Sequence, residues 1–404
     1  MQGGGIKLSA LMVYFLILVA FFVLYFLIPH KQAWIPFLLL VFALATLAFY
    51  CEPNDTDDLF RYFRIIDQMR VGGWDRFQEM IQNNEFDFGA LPIAGYYFYL
   101  ISLLPDNHFL PFFTILISYG CMMLIIYKVA QRYKVDKLFL ALALFFVLST
   151  YWFYDIYSGT RNGLSFTIVL VCIYYHFVER KNIVFCFIGY IIVCGLHSSG
   201  ILLIALGAVA YLTFNNKSEF VNILIIFTLV GASAGITVLS KISDNEFVQT
   251  LSGKTENAVD NLGISFQTNF LVNVATYFVA VLIIAYAFAY IKRYITDKGE
   301  KRFFRFVEVI VYFSLGSIVS GLIFVRILRW VIPILVSIVY MVGMQIQKDR
   351  LDNGFIDLSY DSDTPRAEKI RAMNKGVTSF FLFAYSSVHL WYDFNGSSLI
   401  WLHF

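Results

Sequence analysis

Residues 33–70 decide the fold: AWIPFLLLVFALATLAFYC (33–51) runs straight into EPNDTDDLFRYFRIIDQMR (52–70). The first nineteen residues carry no charge, and a helix of that length, rising 1.5 Å per residue, covers the roughly 30 Å hydrocarbon core of a bilayer. The next stretch places Asp55, Asp57, Asp58 and Arg61 within seven residues. Working outward, 59% of the 404 residues are apolar and 14% are charged, and the mean hydropathy is +0.70. A water-soluble surface cannot be assembled from that composition. Backbone polar groups in lipid have no partners but one another, so the chain is expected to be all-α, a polytopic integral membrane protein forming a single transmembrane domain over residues 1–404. Leu8–Ile28 is too long for a secretory signal, lacks a small-residue cleavage site and is followed at once by another span, and it reads as a retained anchor.

The five cysteines (Cys51, Cys121, Cys172, Cys186 and Cys194) include no C-x-x-C pair and have no histidine at zinc-binding spacing, so no metal or cofactor is expected. A net charge of only +2 argues against a nucleic-acid partner.

Basic residues concentrate in cytoplasmic loops. They cluster here at Lys128–Lys137, Arg180 with Lys181, Lys292–Arg305 and Lys348–Lys375. Between these clusters the apolar segments pair as hairpins: 138–154 with 163–178, 183–196 with 200–213, 220–240 with 268–291, and 306–325 with 330–346. Their tips, Tyr154–Arg161, the His197 turn, Lys241–Gln267 and an Arg326–Arg329 turn, are expected on the outer face. Leu91–Leu104, flanked by Pro92 and Pro105, has the length of a re-entrant or interfacial helix. If it dips, the polar loop 52–90 with its amphipathic helix lies outside with those tips; if it crosses, that loop is cytoplasmic. The expected architecture is about twelve spans plus this re-entrant piece, or thirteen, with an outer loop at 241–267, a cytoplasmic loop at 347–375 and no soluble catalytic domain.

Several polar residues exceed what scaffolding needs. Val309–Ile346 spans 38 residues, ~57 Å as one helix, so a turn is expected near Arg326, Arg329 and Pro333. The two arginines stand three apart and are expected to face a polar cavity or an anion; the alternative is snorkelling to headgroups. Arg161 opens a span just after Ser158-Gly159-Thr160, where free N–H groups and a guanidinium make an anion seat, or an interfacial anchor. His197, at a hairpin tip, has the chemistry of a base, a phosphate donor or a cap for its serines. On a helix after residue 55, Asp57 faces Arg61, and Asp58 faces both Arg61 and Tyr62. The aromatic clusters at 95–99 and 151–157 read as interfacial belts or as platforms for sugar rings.

The order of these elements is D-x-x-R-Y (Asp58, Arg61, Tyr62), then S-G-x-R (Ser158, Gly159, Arg161), then His197-Ser198-Ser199, then R-x-x-R (Arg326, Arg329). It resembles the EpsG family of bacterial exopolysaccharide and O-antigen polymerases, the Wzy-like proteins, over residues 50–335. The resemblance implies a metal-independent, GT-C-like membrane glycosyltransferase in the bacterial inner (plasma) membrane. Such an enzyme moves a growing glycan from undecaprenyl diphosphate onto a second lipid-linked repeat unit at the outer face. Its partners are the undecaprenyl diphosphate-linked oligosaccharide and membrane lipid, with room for a chain-length regulator. Arg61, Tyr62, Arg161, Arg326 and Arg329 would then bind diphosphate and sugar, and Asp55, Asp58 or His197 would serve the acceptor hydroxyl. A flippase or transporter of the same lipid and an O-antigen ligase are the rival readings. A membrane O-acyltransferase fits less well, because its histidine belongs deep in the membrane.

Overall fold

A computed structural model of the chain describes residues 9–151, 153–215, 219–227, 268–318, 321–352 and 376–390. The expected outer loop Lys241–Gln267 and residues 353–375 of the expected cytoplasmic loop lie outside the described residues. The described elements are helices, with no β-strand among them. They are α1 (Ala10–Leu27), α2 (Trp34–Tyr50), α3 (Asp58–Gln82), α4 (Pro92–Ser102), α5 (Phe109–Arg132), α6 (Lys137–Thr150), α7 (Phe153–Ser158), α8 (Thr160–Tyr174), α9 (Ile183–Leu196), α10 (Ser198–Thr213), α11 (Thr268–Tyr294), α12 (Lys298–Ser317), α13 (Gly321–Trp330) and α14 (Ile332–Asp352), followed by α15 (Gly376–Leu390).

By length and hydropathy, Ala10–Leu27, Phe109–Arg132, Thr160–Glu179 and Asn273–Tyr294 can each cross a membrane, and the bent pair Ile323–Trp330 and Ile332–Asp349 makes a fifth if taken as one span. The apolar helices α2, α6, α9, α10 and α15 are shorter, at 10–17 residues, below the roughly 20 residues of a full span. The sequence-based count of about twelve includes them. Phe185, Phe187, Ile188 and Ile191 of α9, and Leu16, Val19 and Val23 of α1, point outward and are exposed. Such apolar faces suit lipid rather than water.

The helices run between two ends. At the far end, Lys137 Nζ donates to the carbonyls of Phe26 and Ile28 (both 2.9 Å), and Tyr25 donates to the Lys137 carbonyl. At the near end, the Tyr157 hydroxyl donates to the Cys51 carbonyl (2.8 Å). Local chemistry starts the elements: Asp136 caps α6 through Leu138 N–H, and Asp297 caps α12 through the N–H groups of Gly299 and Glu300, satisfying donors that a helix leaves open.

The amphipathic helix read from residues 59–66 is α3, which buries Leu59, Tyr62, Ile65, Ile66 and Met69 and kinks at Gly73, whose φ of 60° suits glycine. Helix α4 is the short segment read as re-entrant. Its eleven residues reach only ~16 Å. On its C-terminal side Arg70 donates to the Leu104 carbonyl (3.2 Å) and Asn107 to Asp67 (2.8 Å); on its N-terminal side the Phe86 carbonyl meets Arg161. Both flanks therefore lie at the near end.

The turn expected near Arg326, Arg329 and Pro333 is present, but not at the arginines themselves: both sit inside helix α13, and the chain bends just after them, at Val331, where α13 and α14 meet at 43°. The run FVRILRWV lacks turn-forming residues and stays helical. Pro333, second in α14, occupies a position where a missing N–H costs nothing.

Candidate functional site

The site grows from the start of α8. Gly159 precedes the helix, and a Cβ there would stand 2.6 Å from the Asp155 carbonyl, so only glycine fits. Arg161 follows in the first turn and is 9% exposed. Its Nε donates to the Tyr62 hydroxyl (3.3 Å) and its Nη1 to the Phe86 carbonyl (3.1 Å), and the guanidinium stands 5.4 Å from the Tyr62 ring. Arg61 lies over the same ring at 5.6 Å and pairs with Asp58 at 2.9 Å, both side chains being half exposed.

Arg326 joins this group from the other end of the chain. Its electrostatic neighbours are Asp58, Tyr62 and Arg161, and among the described residues nothing accepts a hydrogen bond from it. Residues 58, 61, 62, 161 and 326 thus meet at the near end. Two guanidiniums in one half-buried pocket repel each other and forfeit hydration unless an anion joins them. A planar fork of donors suits the oxygens of a phosphate.

Arg329 is employed differently. Its Nη1 pairs with Asp155 Oδ2 at 2.9 Å, fastening α13 to α7, and it lines a small cavity of about 20 Å³ with Thr150, Asn273 and His389. The neighbouring Trp330 packs against Phe166 and Gly159. The two arginines read as one face therefore take different partners.

The expected acids also separate. Asp55 is exposed and makes no hydrogen bond or ion pair among the described residues. Asp58 borders the arginine pocket. Asp57, expected on the helix facing Arg61, is instead the N-cap position of α3. Its carboxylate accepts from the Tyr154 hydroxyl (2.6 Å) and from Asn54 N–H (3.1 Å). That clamp seats the loop at 52–57 on α7. The signals that pointed to it were the aspartate just before an apolar-periodic run, and a lone carboxylate, Asp155, within the aromatic stretch at 151–157.

His197 is 8% exposed, and its Nδ1 accepts from Ser199 N–H at 3.1 Å. The neutral ring in this arrangement carries its proton on Nε2 and caps α10 through Nδ1, and taking up a proton at Nδ1 would cost the cap. The turn lies beside α8: a Cβ on Gly200 would stand 2.6 Å from Ser165 Oγ. Thr160 Oγ1, Asn162 Oδ1 and Ser165 Oγ are buried in the first turns of α8 with no hydrogen-bond partner among the described residues.

Between α3 and α4, Asn84 (φ 50°), Phe86 (φ 55°) and Asp87 (φ 67°) adopt left-handed conformations. Such conformations cost non-glycine residues on the order of 1–3 kcal/mol each. Asn84 Oδ1 accepts from Ala90 N–H, and Glu85 takes both Nη groups of Arg76, at 3.0 and 2.8 Å.

Arginines drawn from three distant stretches converge at one end of this helical bundle, an arrangement whose donors suit an anionic group. The sequence signature of the EpsG family matches residues 34–356, from the start of α2 past the end of α14, and the chain belongs to that family. Membership supports a polysaccharide-polymerase type of role in the membrane. No curated protein and no solved structure matches the chain significantly.

Proposed function

We propose that the protein is a membrane glycosyltransferase that moves a growing glycan from undecaprenyl diphosphate onto a lipid-linked repeat unit at the outer face of the bacterial inner membrane. The observation that carries this reading is the convergence of Arg161 and Arg326 on Tyr62 and Asp58. In the reaction the bond between the anomeric carbon and the diphosphate oxygen breaks, and a bond to the acceptor hydroxyl oxygen forms. The leaving diphosphate keeps the electron pair. Arg161 and Arg326 hold it where charge develops, an effect worth several kcal/mol when donors are fixed in advance. Asp58, beside that pocket, orients the acceptor hydroxyl and takes its proton. His197 contributes Nε2–H as a donor. Arg329 and Asp57 act on structure, the one through Asp155 and the other through Tyr154.

The sidedness rests on charge. Lys137, Arg132, Arg180 and Lys348 tie loops together at the far end, and basic loops stay in the cytoplasm, which leaves the near end outside. Deletion of the gene followed by sizing of surface polysaccharide tests the reading. Single translocated repeat units are expected. Units retained facing the cytoplasm would instead identify a flippase, and complete polymer left unattached would identify a ligase.

A further inference from the structure

The loop between α3 and α4 keeps a costly shape around one exposed ring. Phe86 has a φ of 55°, a conformation that an aromatic residue adopts only when its surroundings impose it. Three contacts impose it: Asn84 on Ala90 N–H, Glu85 on Arg76, and Arg161 on the Phe86 carbonyl itself. The ring so presented is 37% exposed, although it continues a ladder of rings that is otherwise buried. Tyr62 packs on Phe98 (4.9 Å), Phe98 on Phe88 (5.7 Å), and Phe88 on Phe86 (6.0 Å). The ladder runs from the tyrosine under Arg161 to the rim, and folding alone gains nothing from strain that leaves its last ring in the open.

We propose that Phe86 is a specificity-determining residue of the arginine pocket, its ring the platform on which a pyranose of the lipid-linked substrate stacks; the proposal rests on the polymerase reading above. The axial C–H groups of a pyranose carry partial positive charge and suit the negative face of an aromatic ring. Asn84, Glu85 and Asp87, its neighbours in the chain, make the loop around it polar, which suits sugar hydroxyls and not a polyprenyl tail. The backbone of the same residue holds Arg161, so the sugar is read next to the diphosphate that carries it.

The test uses the full-length protein in vesicles supplied with lipid-linked repeat units, and compares Phe86→Gly, Phe86→Leu and Phe86→Tyr. Glycine adopts this φ freely, so Phe86→Gly is expected to unfold at the same or a higher temperature while its apparent KM for the lipid-linked unit rises about tenfold with kcat little changed. Phe86→Tyr restores the KM and Phe86→Leu does not. Polyprenyl diphosphate without sugar is expected to inhibit the unsubstituted and Phe86→Gly proteins alike. An unchanged KM in Phe86→Gly overturns the proposal, as does rescue by leucine. Weaker inhibition of Phe86→Gly by the sugar-free lipid overturns it too, because the ring would then meet the tail. If the unsubstituted protein makes no polymer, the polymerase reading fails and the proposal with it; product from both proteins at equal KM defeats the proposal alone.

Discussion

The cations that tie the far end together and the Arg161–Arg326 pair at the near end are treated in opposite ways, although Arg61, Arg76 and Arg329 at the near end are matched by acids too. At the far end cations and acids close on each other: Arg132 with Glu300 (2.6 Å), Arg180 with Asp297 (3.2 Å), Lys348 with Asp136 (2.6 Å), and Lys292 and Arg305 with Glu308. All but the Arg305–Glu308 contact, which lies within α12, join separate segments of the chain. At the near end Arg161 is served by a neutral hydroxyl and a carbonyl, and Arg326 donates to nothing among the described residues. A cation matched by an acid serves as a fastener. A cation held half-buried by neutral groups retains its field for a ligand, and the fold bears the desolvation cost of keeping it there.

The largest effect expected from this contrast is on activity. Arg326→Gln or Arg161→Gln should cut polymer formation by about 10²- to 10³-fold while leaving the unfolding temperature nearly unchanged, whereas Arg132→Gln should spare polymer length and cost up to ~1 kcal/mol of stability. Equal loss of polymer in all three variants would erase the distinction between the ends. Polymer sizing and thermal unfolding of the purified proteins decide it.

A smaller effect sharpens the comparison within the near end. Arg329→Leu strands Asp155, which is 14% exposed, and should destabilise the protein by about 3 kcal/mol. The reciprocal exchange, Asp155→Arg with Arg329→Asp, should recover part of that loss; if it recovers none, the pair is not a simple fastener. Smallest is the acid response of the far end. Burial alone would raise the Asp297 carboxyl, but N–H groups of Glu300 and Gly299, with Arg180 and Arg132 nearby, hold it below the usual carboxylate range. A depressed folded value gives stability that is present above the ordinary carboxylate pKa of about 3.9 and is lost as pH falls through the folded value. Asp297→Asn should therefore flatten the acid limb of the stability curve, and an unaltered limb would assign that limb to other carboxylates.

Much of this organisation is written locally in the chain. Hydropathy marks the apolar helices, two prolines and a short length mark α4, and the apolar spacing after Asp58 marks α3. The arginines announce themselves because charge within apolar runs is expensive. What stays hidden is pairing over distance. The local spacing picks out Asp58 beside Arg61, but nothing in the sequence shows that Tyr154, 97 residues on, reaches Asp57. Arg326 and Arg329 share a helical face in sequence, yet Asp155 captures only one of them. The helical state of 321–330 depends on where the chain breaks around it, and spacing cannot reveal that. Phe86 left no trace at all, because its left-handed backbone is imposed by Arg76, Asn84 and Arg161 together.

Helix α4 has a consequence for biogenesis. A Cβ on Gly195 would stand 2.6 Å from the Ile93 side chain, so the floor beneath α4 is laid by α9, synthesised much later. A ribosome making this protein releases α4 beside α3 before the α9 side of its seat exists, and that side closes only when the later hairpin inserts. Truncation ahead of residue 196 would leave the acidic loop still held by Tyr154 and Arg161 but α4 without its floor.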